Sequence, residues 1–279
     1  MDLQLKDKVV FITGASGGIG RALARTFAQE GAKLALHAGS NINWLREFVA
    51  GSDWRDRALC VQADVTDPAA VEAAMQAATR HFGRVDICIA NAGKWPREDA
   101  RIDEISLQRM RDTIGVNLFG AIWTARAFFA QLAPRPDQQG TSLTFIGSTA
   151  GRFGERGHVD YSLAKAGLYG LVRTLKNEIV QRDPFGRVNM VEPGWTVTEM
   201  AREALDQPGT IQRVVRTMPV RQLARAVDIA RSVLALSSPA LSRHVSGEVL
   251  TVAGGMEGRV QWTEADIDEA AIRSRARAE

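Results

Sequence analysis

Tyr161 and Lys165 stand four residues apart in a stretch of helical composition, Val159 to Val180, so both side chains share one helix face and can reach one ligand. A phenol with a pKa of about 10 exchanges protons poorly at neutral pH, and a nearby ammonium favours its ionised form. The pair therefore suits proton transfer to or from an oxygen. Ser148 lies thirteen residues before Tyr161, directly after the apolar run Leu143 to Gly147, and supplies a hydroxyl for the same purpose. Each residue also has an ordinary reading: a Tyr-x-x-x-Lys pair occurs on many helix surfaces, Ser148 fits a turn or cap, and Asn117 fits a polar position in a helix spanning Leu107 to Leu132.

A second group of residues is suited to phosphate. The apolar run Val9 to Thr13 leads directly into Gly14-Ala15-Ser16-Gly17-Gly18-Ile19-Gly20 and then a helical stretch. Glycines there allow a tight turn and close backbone approach to a pyrophosphate, while the helix start near Ile19 offers free N–H groups. A glycine turn with no ligand is the competing reading. The next apolar run ends in His37-Ala38-Gly39-Ser40-Asn41, where an acidic residue would accept hydrogen bonds from an adenosine ribose. No acid is present, and Ser40 and Asn41 with their N–H groups suit a 2′-phosphate, which favours NADP over NAD. The nearest arginine in that stretch is Arg46.

These residues need a scaffold that brings them to one edge. Short apolar runs recur at Val9 to Thr13, Leu34 to Ala38, Leu59 to Ala63, Val85 to Ala90, Leu143 to Gly147, Val188 to Val191 and Val249 to Val252, separated by amphipathic stretches of crossover length. One such stretch, Ala69 to Phe82, follows Asp67-Pro68, a cap and first-turn pair. The alternation predicts a single-domain Rossmann fold: a doubly wound, seven-stranded parallel sheet with helices on both faces. Ser148 then sits at the carboxyl edge, where such sheets place their ligands. Residues 1–258 form one dinucleotide-binding and catalytic domain. Residues 200–225, punctuated by Pro208, Gly209 and Pro219, read as a helical lid or as a plain surface excursion. Residues 133–141 read as a helix-to-strand loop. The charged extension 259–279 carries Trp262 and reads as a frayed end or as a segment packed on a sister subunit.

Composition excludes several other classes. With 45% hydrophobic and 24% charged residues and a formal net charge of +3, the chain has globular balance and no clustered basic tract for nucleic acid. Its two cysteines, Cys60 and Cys88, lie in apolar runs with no metal-ligand spacing, so no metal site and no disulfide is expected. No apolar run reaches the roughly 20 residues of a membrane span, and the start, MDLQLKDK, lacks a signal-peptide core. A cytoplasmic location is expected.

Taken together, the motifs resemble those of the short-chain dehydrogenase/reductase family from about Lys6 to Gly255. Thr13 to Gly20 matches its Thr-Gly-x-x-x-Gly-x-Gly loop, with Gly14, Ser16, Gly18, Ile19 and Gly20 at cofactor positions. Asp64-Val65 matches its adenine contact, and Asn91-Ala92-Gly93 its Asn-Ala-Gly turn. Asn117, Ser148, Tyr161 and Lys165 match its catalytic set, and Pro193-Gly194 with Thr196 and Thr198 the segment that holds the nicotinamide. Position 17 is glycine, where NADP-dependent relatives often carry a basic residue.

The resemblance implies hydride exchange between NAD(P) and a carbonyl/secondary alcohol pair, without a metal. Ser148 would hydrogen-bond the substrate oxygen and Tyr161 would pass the proton. Lys165 would hold the nicotinamide ribose and lower the tyrosine pKa, and Asn117 would organise a relay water. The family also implies a homotetramer or homodimer, with 107–132 and 159–180 as the apolar interface. Substrate choice falls to 94–105, 151–158 and the lid. Arg97, Arg101, Arg152, Arg156 and His158 there suit an anionic substrate or are solvated charges; Trp95, Phe153 and Trp195 suit an apolar pocket or are packing aromatics. The layout of 154–167 resembles the 3-oxoacyl thioester reductases, while sugar, polyol or steroid alcohol dehydrogenases fit the same residues. A non-catalytic dinucleotide-binding regulator would keep the glycine loop and lose the Tyr161/Lys165 pair.

Overall fold

A computed structural model describes residues 1–133, 139–258, 260 and 262–277. Each apolar run forms a parallel strand: β1 (Val9–Ile12), β2 (Lys33–Ala38), β3 (Ala58–Gln62), β4 (Ile87–Ala90), β5 (Ser142–Ile146) and β6 (Arg187–Pro193), with Val249–Val252 as the seventh. A short pair, β7 (Thr196–Val197) and β8 (Ala224–Arg225), stands apart and leaves the seventh strand as β9. The main sheet runs β3-β2-β1-β4-β5-β6-β9, all parallel. The order reverses between β1 and β4, and the crevice beyond their carboxyl ends is the topological switch point where such sheets bind ligands.

Strand residues alternate between two cores. Val10 and Ile12 of β1 face α1 (Gly18–Gln29), α2 (Ile42–Ala50) and α10 (Ala226–Ser237), while Val9 and Phe11 face α3 (Pro68–Phe82), α5 (Gly120–Phe129) and α7 (Val159–Glu178). Burial on both faces explains why these strands read as unbroken apolar runs rather than as alternating ones. Helix α3 begins as its sequence indicates: the Asp67 side chain accepts from the N–H groups of Ala69 and Ala70, and Pro68 fills the first turn. Among the described residues no helix is long and apolar enough to cross a membrane.

Two segments differ from their sequence patterns. The helix expected over 107–132 is interrupted: α4 (Leu107–Ile114) passes through a π-type turn, Gly115–Phe119, before α5. Widened turns of this kind occur often at functional sites, and this one carries Asn117. Among the described residues the extension packs on its own chain rather than fraying. Its helix α12 (Glu269–Arg277) buries Ile272 and Ala276, together with Ile267 ahead of it, against α8 (Glu199–Leu205), α9 (Thr210–Val215), Met218 and Leu223. Trp262 Nε1 donates to Met218 O at 2.6 Å, and the Arg221 guanidinium lies 4.4 Å from the Trp262 ring centroid. The tail straps the segment from Leu205 to Leu223 of its own chain. Of the expected loop 133–141, residues 134–138 lie outside the described residues, as do 259, 261, 278 and 279 of the extension.

Candidate active site

The phosphate end is a backbone cradle with no space for side chains. Gly14 has φ of 64°, and a Cβ there would sit 2.8 Å from Ala92 Cα. At Gly20 it would fall 2.3 Å from Gly14 O. The turn therefore requires both glycines, and the start of α1 opens beneath it. A dinucleotide pyrophosphate fits this cradle. Ile19 packs partly buried on the core beneath the turn.

Thr13 joins the cradle to the turn after β4: its Oγ1 accepts from Asn91 N at 2.9 Å and Ala92 N at 3.0 Å, while Asn91 Nδ2 donates to Thr13 O and Gly14 O. Asn91 thus acts on the loop itself. His37 supports it from below. Gly14 N–H donates to Nδ1 at 3.3 Å and Nε2 lies 3.0 Å from Ala63 O, which fixes the neutral tautomer with its proton on Nε2. Burial lowers the His37 pKa, against smaller raising contributions from the Ala63 carbonyl and Asp64. In the sequence Thr13 stood out only as the first residue of the glycine motif, and His37 only by its place at a strand end.

The His37 arrangement has a sign. The unfolded chain protonates this residue at the ordinary value of 6.5, and the folded chain only at lower pH. Its contribution to stability is therefore present above pH 6.5 and is lost as pH falls from there toward the lowered folded-state value. Thermal melts should show wild-type stability declining across that window, with a shallower decline in His37→Gln. Equal slopes would contradict the role.

The adenosine end gathers Ser40, Asn41 and Asp64. Ser40 and Asn41 are exposed, and Asn41 stands at the start of α2 without capping it, so the first N–H groups of that helix lack a side-chain acceptor. Asp64 is exposed and holds Thr66 through its N–H and hydroxyl, hydrogen bonds that lower the carboxyl pKa, while Val65 is buried against the Gly120 backbone. Sequence distance hid the arginine that belongs here. Arg21 of α1 donates to Ser16 O at 3.0 Å and its guanidinium lies 5.0 Å from the ring centroid of Trp44, in the first turn of α2. Arg46 instead donates to Asn43 on its own helix.

At the chemical end, Ser148 caps α6 (Thr149–Phe153) by accepting from Ala150 N at 3.2 Å, and its hydroxyl hydrogen-bonds Tyr161. Lys165 is 4% exposed, and its Nζ donates to Ile146 O at 2.8 Å and lies 5.7 Å from the Tyr161 ring centroid. The turn after β4 meets both groups: a Cβ on Gly93 would lie 2.8 Å from Asn117 Oδ1 and 3.6 Å from Lys165 Nζ. Asn117 spends its side chain on this loop, donating to Lys94 O and Thr113 O and accepting from Lys94 N. A relay water has to use what those bonds leave, such as the second lone pair of Oδ1.

The electrostatics correct one expectation. Burial pushes the Tyr161 hydroxyl up to about 12, outweighing the Ser148 hydrogen bond, and brings the Lys165 ammonium down to about 8. Lys165 does not lower the tyrosine pKa here, because its ammonium points to the Ile146 carbonyl and both groups are desolvated. In the ligand-free protein Tyr161 is accordingly held as the neutral phenol.

The nicotinamide segment closes the other wall. Gly194 N donates to Val252 O at 3.0 Å, Thr196 Oγ1 donates to Gly194 O, and a Cβ on Gly18 would lie 2.8 Å from Thr198 Cβ. Pro193 ends β6 just ahead of this turn. The segment after β6 therefore rests directly on the glycine loop.

The substrate loop is held by residues whose charge or ring suggested other roles. Trp95 stacks on His158 at 3.8 Å between centroids and meets the Tyr161 ring edge-on at 4.8 Å. His158 is buried between the carbonyls of Pro96 and Arg156. Arg101 pairs with Asp103 at the surface, and Arg152 pairs with buried Glu192. Trp195 packs on the lid and Phe153 is exposed. Arg109, unremarked in the sequence, forms an ion pair with fully buried Asp160 and donates to Gly157 O, which pins the start of α7 next to Tyr161.

A doubly wound sheet with a glycine cradle at its switch point and a Ser/Tyr/Lys group on the adjoining strand and helix defines a dinucleotide-dependent oxidoreductase. The chain belongs to the short-chain dehydrogenase family, whose model matches residues 8–209. It is 33% identical over 258 residues to the 3-oxoacyl-[acyl-carrier-protein] reductase FabG of Escherichia coli, covering 91% of this chain and 99% of that protein. It is 31% identical to an L-rhamnose 1-dehydrogenase (NAD(P)(+)) of Azotobacter vinelandii, covering 90% and 97%. A solved short-chain dehydrogenase/reductase described as glucose/ribitol dehydrogenase, from Brucella melitensis, superposes with a TM-score of 0.82 at 28% identity over 92% of this chain and 99% of that one. The protein is an NAD(P)-dependent oxidoreductase acting on a carbonyl/CH-OH pair.

Proposed function

We propose that this chain is an NADPH-dependent reductase of 3-oxoacyl thioesters in which Tyr161 is the proton donor. The observation that carries the chemistry is the part-exposed Ser148 hydroxyl beside buried Tyr161 and Lys165, with the tyrosine held as a neutral phenol. Ser148 orients the substrate oxygen toward Tyr161. Lys165 holds the ribose hydroxyls of the nicotinamide, and Asn117 keeps the Gly93–Lys94 loop against that lysine. Pro193 to Thr198 would hold a reduced nicotinamide, which would supply the hydride, and the loop after β4 with the segment 200–225 would position the carbonyl.

The thioester reading rests on the 3-oxoacyl-[acyl-carrier-protein] reductases among the relatives, in Escherichia coli at 33% and in Bos taurus at 31% identity. Sugar or polyol oxidation is the second reading, favoured by the rhamnose dehydrogenase likeness. NADPH is preferred because Ser40, Asn41, the uncapped start of α2 and Arg21 on Trp44 offer donors and positive charge, with no acid at the end of β2 to repel a 2′-phosphate. Fluorescence titration should show NADPH binding tighter than NADH by tenfold or more, with the gap narrowed in Arg21→Ala. Equal affinities would overturn the preference.

We also assign a homotetrameric or homodimeric assembly through α4, α5 and α7. Leu107 is 64%, Phe119 46% and Leu163 55% exposed on these helices. Apolar side chains gathered on adjoining helices suit an interface. Light scattering should give a dimer or tetramer mass for wild type and a smaller species for Leu163→Glu; a monomeric wild type would refute the assembly.

A further inference from the structure

Beside the cradle, and sharing Gly18 and Thr198 with it, the outer side of α1, the segment 197–226 and α12 line an open cavity of about 650 Å³. Its wall carries six arginines, Arg21, Arg25, Arg202, Arg225, Arg273 and Arg277, against two carboxylates, Glu199 and Asp206. Arg21 and Arg25 are one turn apart on α1, and Arg273 and Arg277 are one turn apart on α12. Like charges at this spacing repel, and here two such pairs line one space. The carboxylates are already engaged: Glu199 with Arg21, and Asp206 with Arg273 at 3.1 Å. Arg225 pairs with Asp228 outside the wall. Among the described residues no carboxylate lies within ion-pair distance of Arg25, Arg202 or Arg277, and the Arg25 guanidinium rests 5.2 Å from the Phe48 ring centroid.

Guanidinium groups converging from separate elements match phosphate and carboxylate geometry, each offering a planar fork of donors. We propose that this cavity is a second ligand site, for a small polyanion carrying two or more phosphate or carboxylate groups, and that the C-terminal segment completes it. The family model matches residues 8–209, and Arg273 and Arg277 lie beyond it. The apolar side of α12 holds them in place through Ile272 and Ala276. Arg21 belongs to both sites, since it donates to Ser16 O in the glycine loop and pairs with Glu199 at the start of the lid. A ligand that draws Arg21 away from Glu199 changes how Thr198 and Glu199 rest on Gly18, which links the two sites energetically.

The test is calorimetric titration of inorganic pyrophosphate, and separately of citrate, into the full-length protein at constant ionic strength. The protein is first saturated with the tighter-binding dinucleotide, so that pyrophosphate has no access to the glycine cradle. The comparison is Arg202→Glu/Arg277→Glu, two exposed positions without an ion pair among the described residues, with thermal melts to confirm an unchanged fold. At least one probe should bind the saturated wild type and bind the double variant at least tenfold more weakly. Preference between the probes separates a phosphate ligand from a carboxylate one. No binding by either probe, or equal binding by wild type and variant, overturns the site. If neither dinucleotide binds, the proposed cofactor fails, and the comparison of wild type with variant still decides the second site.

Discussion

Tyr161→Phe is expected to abolish turnover while leaving dinucleotide affinity within a few fold of wild type. The substitution removes one oxygen from a side chain that is 9% exposed and keeps the ring that Trp95 meets edge-on, so the packing survives. The only group lost is the transferable proton. A positioned general acid contributes about 10²–10⁴-fold, and burial of a hydroxyl pushed up to about 12 makes this phenol a donor rather than a base in the free protein. Ser148 cannot replace it, because a serine hydroxyl is a far poorer acid than a phenol. Steady-state kinetics with paired fluorescence titrations would check this. A variant that keeps wild-type turnover would exclude Tyr161 as the donor.

Lys165→Ala should damage binding and catalysis together. The ammonium has one protein acceptor, Ile146 O, and stands 3.6 Å from where a Gly93 side chain would begin. It therefore faces the space enclosed by the turn after β4 and the Tyr161 ring. Removing it takes away the donor assigned to the ribose hydroxyls and leaves the Ile146 carbonyl without its bond, a cost of about 1–3 kcal/mol for a buried acceptor. Dinucleotide affinity should fall about tenfold or more and turnover further still. The pH dependence separates a charge role from a structural one. Burial brings Lys165 down to about 8 in the free protein, so binding that uses the ammonium weakens as pH rises through that value, and the alanine variant shows no such step. A pH-independent wild-type affinity between pH 7 and 9 would argue against it.

Much of this was legible from the chain alone where local chemistry and global position agree. The central strand runs were recognisable because burial on both faces leaves no polar residue to interrupt them, as in Val9–Ile12 and Ile87–Ala90. The glycine cradle and the Tyr161/Lys165 spacing are likewise local patterns. What escaped were contacts between residues distant in sequence. Arg21 reaches the start of α2 only because α1 and α2 lie side by side, and Arg109 reaches Asp160 across 51 positions. His37 looked like a strand-end residue, and only the fold shows its ring between Gly14 and Ala63. The tail misled for the same reason: its composition is charged, yet Ile267, Ile272 and Ala276 are enough to anchor it to the lid. The tyrosine pKa failed differently. Spacing put Lys165 beside Tyr161, while desolvation, which spacing does not reveal, dominates both groups.

The account stands most directly on one assay: oxidation of NADPH by the purified protein, followed by the loss of reduced-nicotinamide absorbance, against a panel of 3-oxoacyl thioesters, ketones and sugar lactones, with Tyr161→Phe run in parallel. It predicts turnover of at least one 3-oxoacyl thioester by wild type and none by the variant. Turnover confined to sugar substrates would transfer the assignment to a sugar dehydrogenase, and thioester turnover that survives in Tyr161→Phe would contradict the proton-transfer role at its centre.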